Sequence, residues 1–247
     1  MDRALKIISL VSQRKDGLGV TELASYLDIN KSSAFRLLST LVEHGYIEQN
    51  PETKKYRLGY IYLELSSMLL ESIDLRTQAK PYLEELKLLT NEVIHLVVYD
   101  QGNVIYIEKL EGNETLRTHS QVGRRAPVHC SSVGKVILAY LPETETLNII
   151  EKFGLPKHTE NTITDKESLL KELKNIRDRG YGTENEENEP GITCIAAPIF
   201  DHTNKIAAAI SISGPSIRMT EERLTEIKPY LIEVGKKISR RLGWTDN

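Results

Sequence analysis

The segment that decides the fold is KSSAFRLLSTLVEH, residues Lys31–His44, followed directly by Gly45. Its apolar residues recur at helical spacing, which predicts an amphipathic helix with one buried stripe. That stripe comprises Ala34, Leu37, Leu38, Leu41 and Val42. Asn30 stands where a side-chain oxygen can cap the first turn, and Gly45 is a natural C-terminal stop. The segment therefore predicts a helix with a defined beginning and end.

The opposite face of this helix carries cations, short hydroxyls and one aromatic ring. These residues are Lys31, Ser32, Ser33, Phe35, Arg36, Ser39 and Thr40. A helix N-terminus offers free amides to phosphates, and Arg36 is long enough to donate two hydrogen bonds to a guanine edge. Phe35 could pack on a thymine methyl group or turn inward. This face is predicted to enter the major groove of double-stranded DNA.

The flanking segments predict a winged helix-turn-helix over residues 1–58. An amphipathic helix opens the chain and breaks near Asp16, and Thr21 is the expected N-cap of a short second helix. Two strand-like runs, 46–48 and 55–58, lie on either side of the five-residue turn 50–54 and predict a wing. A small helical domain with a solvated polar face is the alternative, but this order of elements favours DNA binding. The expected contacts are Thr21, Lys31, Ser32, Ser33, Phe35, Arg36, Thr40, Lys54, Lys55 and Arg57.

Residues 59–75 predict a linker helix with an apolar stripe that the small domain leaves uncovered. The stripe comprises Ile61, Tyr62, Leu65, Met68 and Leu69. Because duplex DNA is usually read as two half-sites by a two-fold dimer, a second copy of the chain is the expected cover. Packing of this helix on the second domain of its own chain is the alternative.

Residues 76–247 predict an α+β domain with a mainly antiparallel sheet, whose first helix spans residues 80–91. Strand alternation places Ser211 and Ser213 on a face of small residues, and Cys194 lies on a similar face of a second strand. The run 129–135 leads into a helix whose first amides can bind an anion. Together these features predict a pocket for a small carboxylate. A tightly packed sheet that accommodates a covering helix is the alternative.

Length, charge and cysteine count limit the classes of protein to which the chain can belong. The 247 residues suffice for two domains, and the net charge is −3. Residues 1–60 hold nine Lys and Arg against seven Asp and Glu, so a small positive excess lies in the N-terminal part. Neither a signal peptide nor a membrane-spanning run is recognisable, so a cytoplasmic protein is expected. Two cysteines are too few for a disulfide framework or a thiolate zinc site.

An enzyme with Cys130 or Cys194 as nucleophile on a small-molecule-binding fold is the rival hypothesis. His129 adjoins Cys130 in what is predicted as an extended run, where neighbouring side chains point apart, so no catalytic dyad is expected. No cofactor is expected either. A metal site is also not expected, because His119, His129 and Cys130 lack a recognisable ligand spacing.

Several motifs in order resemble the isocitrate-lyase-repressor (IclR) family of bacterial transcription regulators. They are 2–5 (DRAL), 31–38 (KSSAFRLL), 56–59 (YRLG), 129–135 (HCSSVGK), 184–187 (ENEE), 191–198 (GITCIAAP) and 210–215 (ISISGP). The resemblance implies a winged helix, a dimerising linker helix and a C-terminal effector domain with a profilin-like or GAF-like sheet. It also implies assembly as a homodimer or a dimer of dimers.

The resemblance places the effector pocket on the amides of Ser132 and Val133 and on the side chains of Glu184, Cys194, Ser211 and Ser213. One family member that binds small oxo-acids has Asp at the position of Glu184 and small residues at 132 and 133, so its ligand does not transfer. Position 35 is often polar or His in the family, so Phe35 implies a different base preference. The expected function is a regulator, acting as a repressor, whose binding to operator DNA is modulated by a small organic acid.

Overall fold

The computed structural model of the chain describes residues 1–72, 74–112 and 120–246. Contacts divide the chain into two units, Met1–Ile73 and Asp74–Asn247. The elements of the first unit are α1 (Asp2–Ser12), α2 (Val20–Tyr26), α3 (Lys31–Glu43), β1 (Ile47–Gln49), β2 (Tyr56–Leu58) and α4 (Ile61–Ser72).

Helix α3 begins as the sequence predicts, whereas α2 does not. The Asn30 side chain accepts a hydrogen bond from the amide of Ser33 at 2.8 Å, which caps α3. The predicted N-cap of α2, Thr21, is wrong. The cap residue is Gly19, whose amide donates to Glu22 Oε2 at 2.8 Å, so the acidic side chain of the first turn stabilises the helix start.

The core of the first unit joins all three leading helices to the wing. Its buried residues are Ile7, Val11, Leu18, Leu23, Leu38, Leu41, Ile47 and Tyr56. Leu18 and Tyr56 exchange two backbone hydrogen bonds of 3.0 and 2.8 Å, which fixes β2 beside the loop before α2. Gly17 allows this approach, because a Cβ there would lie 2.6 Å from the Tyr56 carbonyl oxygen.

Helix α4 leaves large apolar side chains exposed. Leu63, Leu65 and Met68 are 68%, 43% and 62% exposed, while Tyr62 is half-buried and its ring meets that of Tyr46 edge-on at 5.8 Å. Leu69, the last member of the predicted stripe, has a side chain outside the described residues. The exposed side chains of α4 are suited to contact with a partner.

The second unit is built on an antiparallel sheet, as predicted. Its helices are α5 (Leu75–Thr90), α6 (Ser132–Tyr140), α7 (Glu143–Phe153), α8 (Lys166–Arg179) and α9 (Glu221–Arg241). Its strands are β3 (Val93–Asp100), β4 (Asn103–Leu110), β5 (Arg125–Pro127), β6 (Gly182–Asn185), β7 (Ile192–Phe200) and β8 (Ile206–Pro215). The order across the sheet is β5-β4-β3-β8-β7-β6, with every neighbouring pair antiparallel. The predicted α+β class is therefore confirmed.

Helices cover both faces of this sheet. Helices α6, α7 and α8 pack on the face that carries Val97, Ala196 and Ala209. Helices α5 and α9 pack on the other face, where α9 comes so close that a Cβ at Gly235 would lie 2.8 Å from the Pro198 carbonyl oxygen. Within the described ranges, the chain has no helix that is both long and apolar enough to cross a lipid bilayer.

Two local predictions for this unit are wrong, and one strand was not predicted. The helix predicted over residues 80–91 begins at Leu75, because Asp74 caps a polar first turn that lacks an apolar pattern. Strand β5 was not predicted, since three residues at a sheet edge carry no periodic signal. The run through His129 and Cys130 is a turn rather than an extended segment, so the argument that these two side chains point apart fails.

Candidate DNA-reading surface and ligand pocket

The polar face of α3 is presented to solvent. Lys31, Phe35 and Arg36 are exposed, as are Ser32, Ser39 and Thr40, while Ser33 is half-buried beneath the cap. Phe35 does not turn inward, since 56% of the residue is exposed. The first turn is ordered by Asn30, whose Oδ1 also accepts the Ser32 hydroxyl at 2.8 Å. The helix therefore exposes two cations, Lys31 and Arg36, and one aromatic ring, Phe35.

The wing supplies further cations beside this helix. Asn50 orders its tip by accepting the amides of Glu52 and Thr53, each at 2.9 Å. Lys54 is exposed at the tip, and Lys55 is half-buried. Arg57 is exposed but forms an ion pair with Glu48 on the neighbouring strand. Because that carboxylate offsets the charge of Arg57, Lys54 is the better placed of the two to meet a phosphate.

The effector residues expected from the sequence lie around one cavity of about 230 Å³ in the second unit. Ser211, Ser213 and Cys194 project from the central strands, Glu184 from β6, and Ser132 and Val133 from the start of α6. Strand register explains this, since Cys194 pairs with Ser213, and Ala196 with Ser211, on one face of the sheet. The lining also contains residues that sequence reasoning missed, namely His95, Tyr106, Ser120, Arg124, Asn188 and Glu189.

His95 forms the polar floor of the cavity. Its Nδ1 lies 3.2 Å from the Ser211 hydroxyl and 3.3 Å from that of Ser213, and its Nε2 lies 2.8 Å from the Ser120 hydroxyl. Burial lowers the pKa of His95 to about 3, so the ring is neutral at physiological pH. A single polar residue inside the apolar run VIHLVV was the available sequence signal for this site.

Glu184 supplies a carboxyl group that can be protonated near neutral pH. Burial raises its pKa to about 7. Its Oε1 accepts the amides of Glu187 at 3.0 Å and Asn188 at 3.2 Å, and the Cys194 thiol also hydrogen-bonds the carboxyl. Such a group can donate to a ligand when protonated and accept when ionised.

The start of α6 forms another side of the cavity, through Ser131, Ser132 and Val133. The Ser131 side chain accepts from the amide of Gly134 at 3.2 Å. The amides of Ser132 and Val133 belong to the first turn, where no carbonyl of the same helix can accept them. Gly134 is required for this arrangement, because a Cβ there would lie 2.5 Å from the Cα and the carbonyl oxygen of Val128.

The two thiols are poor nucleophiles. Burial raises the pKa of Cys130 to about 12 and raises that of Cys194 well above its usual value. Catalysis by a cysteine requires the thiolate, which a low pKa supplies. The chemistry of these side chains thus opposes the thiol-enzyme hypothesis and suits a binding pocket.

Comparison with known proteins identifies the family independently of the geometry of the site. Residues 1–51 match the IclR helix-turn-helix domain, and residues 67–240 match the bacterial transcriptional regulator IclR C-terminal domain. The chain is 37% identical to the HTH-type transcriptional regulator XynR of Escherichia coli K12, over 99% of this chain and 97% of that protein. It is 39% identical to the regulator KdgR of the same organism, over 93% of this chain and 87% of that protein.

Solved structures extend the likeness to the fold. The Agobacterium tumefaciens repressor BlcR superposes with a TM-score of 0.86 at 26% identity, covering 98% of this chain and 96% of that chain. The relatives named here are regulators and not enzymes. With both domains matched in order and full-length relatives above 30% identity, the chain belongs to the IclR family of bacterial transcription regulators.

Proposed function

We propose that this regulator represses transcription by binding an operator as a homodimer or dimer of dimers, and that a small hydroxylated organic acid in the second unit changes its operator affinity. Repression is supported by the likeness to a structure named as a repressor. The proposed DNA contacts on α3 are Lys31, Ser32, Phe35, Arg36, Ser39 and Thr40. Those on the wing are Lys54, Lys55 and Arg57. Residues 1–58, 59–75 and 76–247 would serve as DNA-binding, dimerising and effector-binding parts.

The observation that carries the effector proposal is the convergence of a helix start, hydroxyls and a neutral imidazole on one cavity. Ser132 and Val133 contribute helix-start amides, which favour an anion. Ser211 and Ser213 are held at hydrogen-bonding distance from His95, so this side of the cavity is suited to hydroxyl groups. A volume of about 230 Å³ lies below the usual range for drug-sized ligands and suits a metabolite.

The charged residues around the cavity are two arginines and two glutamates. Arg124 and Arg125 line it together with Glu184 and Glu189, and Arg125 forms an ion pair with Asp100. Glu184 would repel an anion when ionised, but its raised pKa keeps it partly protonated at neutral pH. A ligand carboxylate would therefore bind at the α6 amides, while its hydroxyl groups would contact Glu184 and the serines.

The ligand changes operator binding only if it binds the DNA-competent and incompetent arrangements with different affinity. A thermal-shift screen of hydroxylated and unsubstituted acids tests the pocket, using the full chain. A hydroxylated acid should raise the melting temperature of the wild type more than its unsubstituted counterpart does. Ser211→Ala should reduce that shift, whereas Ser168→Ala, on the exposed surface of α8, should not. Equal shifts in all three proteins would refute the pocket assignment.

A gel-shift titration with the intergenic DNA upstream of the gene tests the DNA-reading face. Arg36→Ala should lose about 1–3 kcal/mol of discrimination between operator and unrelated DNA. Lys171→Ala removes an exposed cation from α8 in the other unit and should bind as the wild type does. If Arg36→Ala retained full operator affinity and sequence preference, the assignment of α3 as the recognition helix would be wrong.

A further inference from the structure

Three side chains that commonly bind metals meet beside the start of α6. One ligand atom from each of His129, Cys130 and His158 lies within 4.8 Å of the other two. The turn at residues 128–130 brings two sequence neighbours to the same side, and the loop after α7 delivers the third. His158 is far along the chain from the other two, which is why the sequence alone indicates no metal site. His119, weighed with them in the sequence, lies outside the described residues.

We propose that His129, Cys130 and His158 bind one Zn²⁺ ion per chain. Zinc favours imidazole nitrogen and thiolate sulfur in tetrahedral sites, and three protein ligands leave one position for water. Movements of about 1 Å would bring the three atoms from their present separation to the spacing of a tetrahedral site. This site goes beyond the proposed function, because neither DNA binding nor the effector pocket requires it.

A neighbouring cavity gives the ion a path to the site. It has a volume of about 240 Å³, and both His129 and His158 line it. Its other walls include Pro156, Phe153 and Leu138, so it is largely apolar apart from the two imidazoles. A metal-bound water would occupy the cavity side of the ion, opposite the buried thiol.

The surroundings of His129 orient its ring in the way that metal sites require. His129 Nε2 lies 3.0 Å from the Pro156 carbonyl oxygen, so a donated hydrogen bond there leaves Nδ1 with a lone pair. The Cys130 thiol donates a hydrogen bond to Asn188 Oδ1 at 3.5 Å, and this bond is lost when zinc displaces the thiol proton. The charge of the buried Lys135 acts on both His129 and Cys130, and it is offset by the ion pair of Lys135 with Glu187. The second carboxylate oxygen of Glu187 has no partner among the described residues. A cation entering here meets no uncompensated positive charge from that pair.

Binding at this site would have a defined chemical balance and a structural consequence. The thiol of Cys130 loses one proton to solvent as the sulfur–zinc bond forms, and no electron is transferred. The ion would tie the turn before α6 to the loop that holds His158. Because Ser131 caps α6 directly after Cys130, zinc would stabilise the helix start that lines the effector cavity.

The test is metal titration of the chelator-treated full chain. With Co²⁺ as a spectroscopic probe, the wild type should develop thiolate-to-cobalt charge-transfer absorption that saturates at one ion per chain, and Zn²⁺ should displace it. Cys130→Ser should abolish the band, while the matched control Cys194→Ser should retain it. His158→Ala should weaken Zn²⁺ binding in a competition assay at least tenfold, and His202→Ala, another exposed histidine, should leave it unchanged.

Three outcomes would overturn the proposal. They are no saturable binding at micromolar metal, a band lost in Cys194→Ser instead of Cys130→Ser, and equal Zn²⁺ affinity of His158→Ala and wild type. Circular dichroism of each variant shows whether it is folded. If Cys130→Ser fails to fold, the Zn²⁺ affinity of His158→Ala, a variant at an exposed position, still tests the proposal. Operator binding by the metal-free chain is measured separately, so failure of the zinc site leaves the proposed regulation intact.

Discussion

The Nδ1 atom of His95 lies 3.2 Å from the hydroxyl oxygen of Ser211, where β3 pairs with β8. The two residues face each other in register, so the sheet itself holds this contact. Burial lowers the pKa of His95 to about 3, because the charged imidazolium would lose its hydration. A neutral histidine at the floor of the cavity can donate from one nitrogen and accept at the other.

The first prediction is a loss of stability in acid caused by His95. Its folded-state pKa lies below the unfolded value of 6.5, so the unfolded chain binds more protons below that pH. Its contribution is complete above pH 6.5 and is lost as the pH falls towards 3, by about 5 kcal/mol in total. His95→Gln should lack this part of the pH dependence. Urea denaturation of both proteins between pH 7.5 and 4.5 measures the difference.

Fluorescence of Trp244, the single tryptophan, reports this unfolding. Its ring stacks on Phe200 at 5.9 Å within the same unit as His95. Other groups also titrate over this range, so the quantity to compare is the slope of the unfolding free energy against pH. His202→Gln changes an exposed histidine and should keep the wild-type slope. A His95→Gln slope equal to that of the wild type would show that His95 is not held neutral by burial.

The second prediction is the opposite pH dependence for Glu184. Its folded-state pKa of about 7 lies above the usual 4.5, so the folded chain binds more protons between these values. The free energy of unfolding should therefore fall by about 3 kcal/mol from this group as pH rises from 4.5 to 7. Glu184→Gln should remove that fall. Burial also raises the pKa of neighbouring Glu187, so a smaller fall should remain in the variant.

Glu167→Gln, in the exposed first turn of α8, is the control for Glu184. It should unfold with the same pH dependence as the wild type. Effector affinity provides a second measurement, since ionised Glu184 repels a carboxylate. The affinity of the wild type for an acid should decline above pH 7, and Glu184→Gln should bind equally at pH 6 and 8. Parallel pH profiles for wild type and Glu184→Gln would contradict both expectations.

The winged helix was predictable because its signals are local. The stripe through Ala34, Leu38 and Leu41 determines which face of α3 is buried, and the Asn30 cap determines where the helix begins. Alternation in β8 likewise predicted that Ser211 and Ser213 share a face. Each of these features depends on residues within a few positions of one another, so the sequence alone contains the required information.

Most of the remaining features depend on pairing between distant segments. His95 joins the cavity because β3 pairs with β8, and residue separation gives no hint of that register. His158 reaches Cys130 only through the path of the loop after α7. Thr21 lost the cap position because Glu22 and Gly19 formed a competing local hydrogen bond, which pattern reasoning did not weigh. Long-range register and competition between caps are the physical limits of prediction here.

The third prediction concerns Gly134 at the start of α6. Alanine is normally favoured over glycine inside a helix by about 1 kcal/mol. Here the added Cβ would lie 2.5 Å from the backbone of Val128, so helix and turn must separate. Gly134→Ala should destabilise the second unit by about 1–3 kcal/mol in urea denaturation. Lys174→Ala, on the exposed side of α8, should change stability by less than about 0.5 kcal/mol. If Gly134→Ala raised the free energy of unfolding, the close approach of α6 to the backbone of Val128 would be wrong.

The fourth prediction is that Phe35 reads a thymine methyl group. Its exposed ring beside Arg36 can contact an apolar group in the major groove. Replacing each operator thymine in turn by uracil removes one methyl group, which is worth about 0.8 kcal/mol, or roughly fourfold in affinity. The wild type should lose this amount at one position in gel shifts, and Phe35→Ala should be insensitive there. Equal responses of both proteins at every position would exclude the contact.

The fifth prediction is that α4 holds two copies of the chain together. Leu65 and Met68 lie on one side of the helix and remain exposed, so a charge at that side should oppose burial against a partner. Met68→Glu should sediment as a monomer under conditions in which the wild type is a dimer or larger. Ser67→Glu adds the same charge on the opposite side of α4 and should sediment as the wild type does. Because a dimer binds two half-sites at once, the monomeric variant should also lose at least tenfold in operator affinity. The substitution leaves the residues of α3 unchanged, so this loss would come from the loss of the dimer. Normal assembly and operator binding by Met68→Glu would mean that another surface joins the copies.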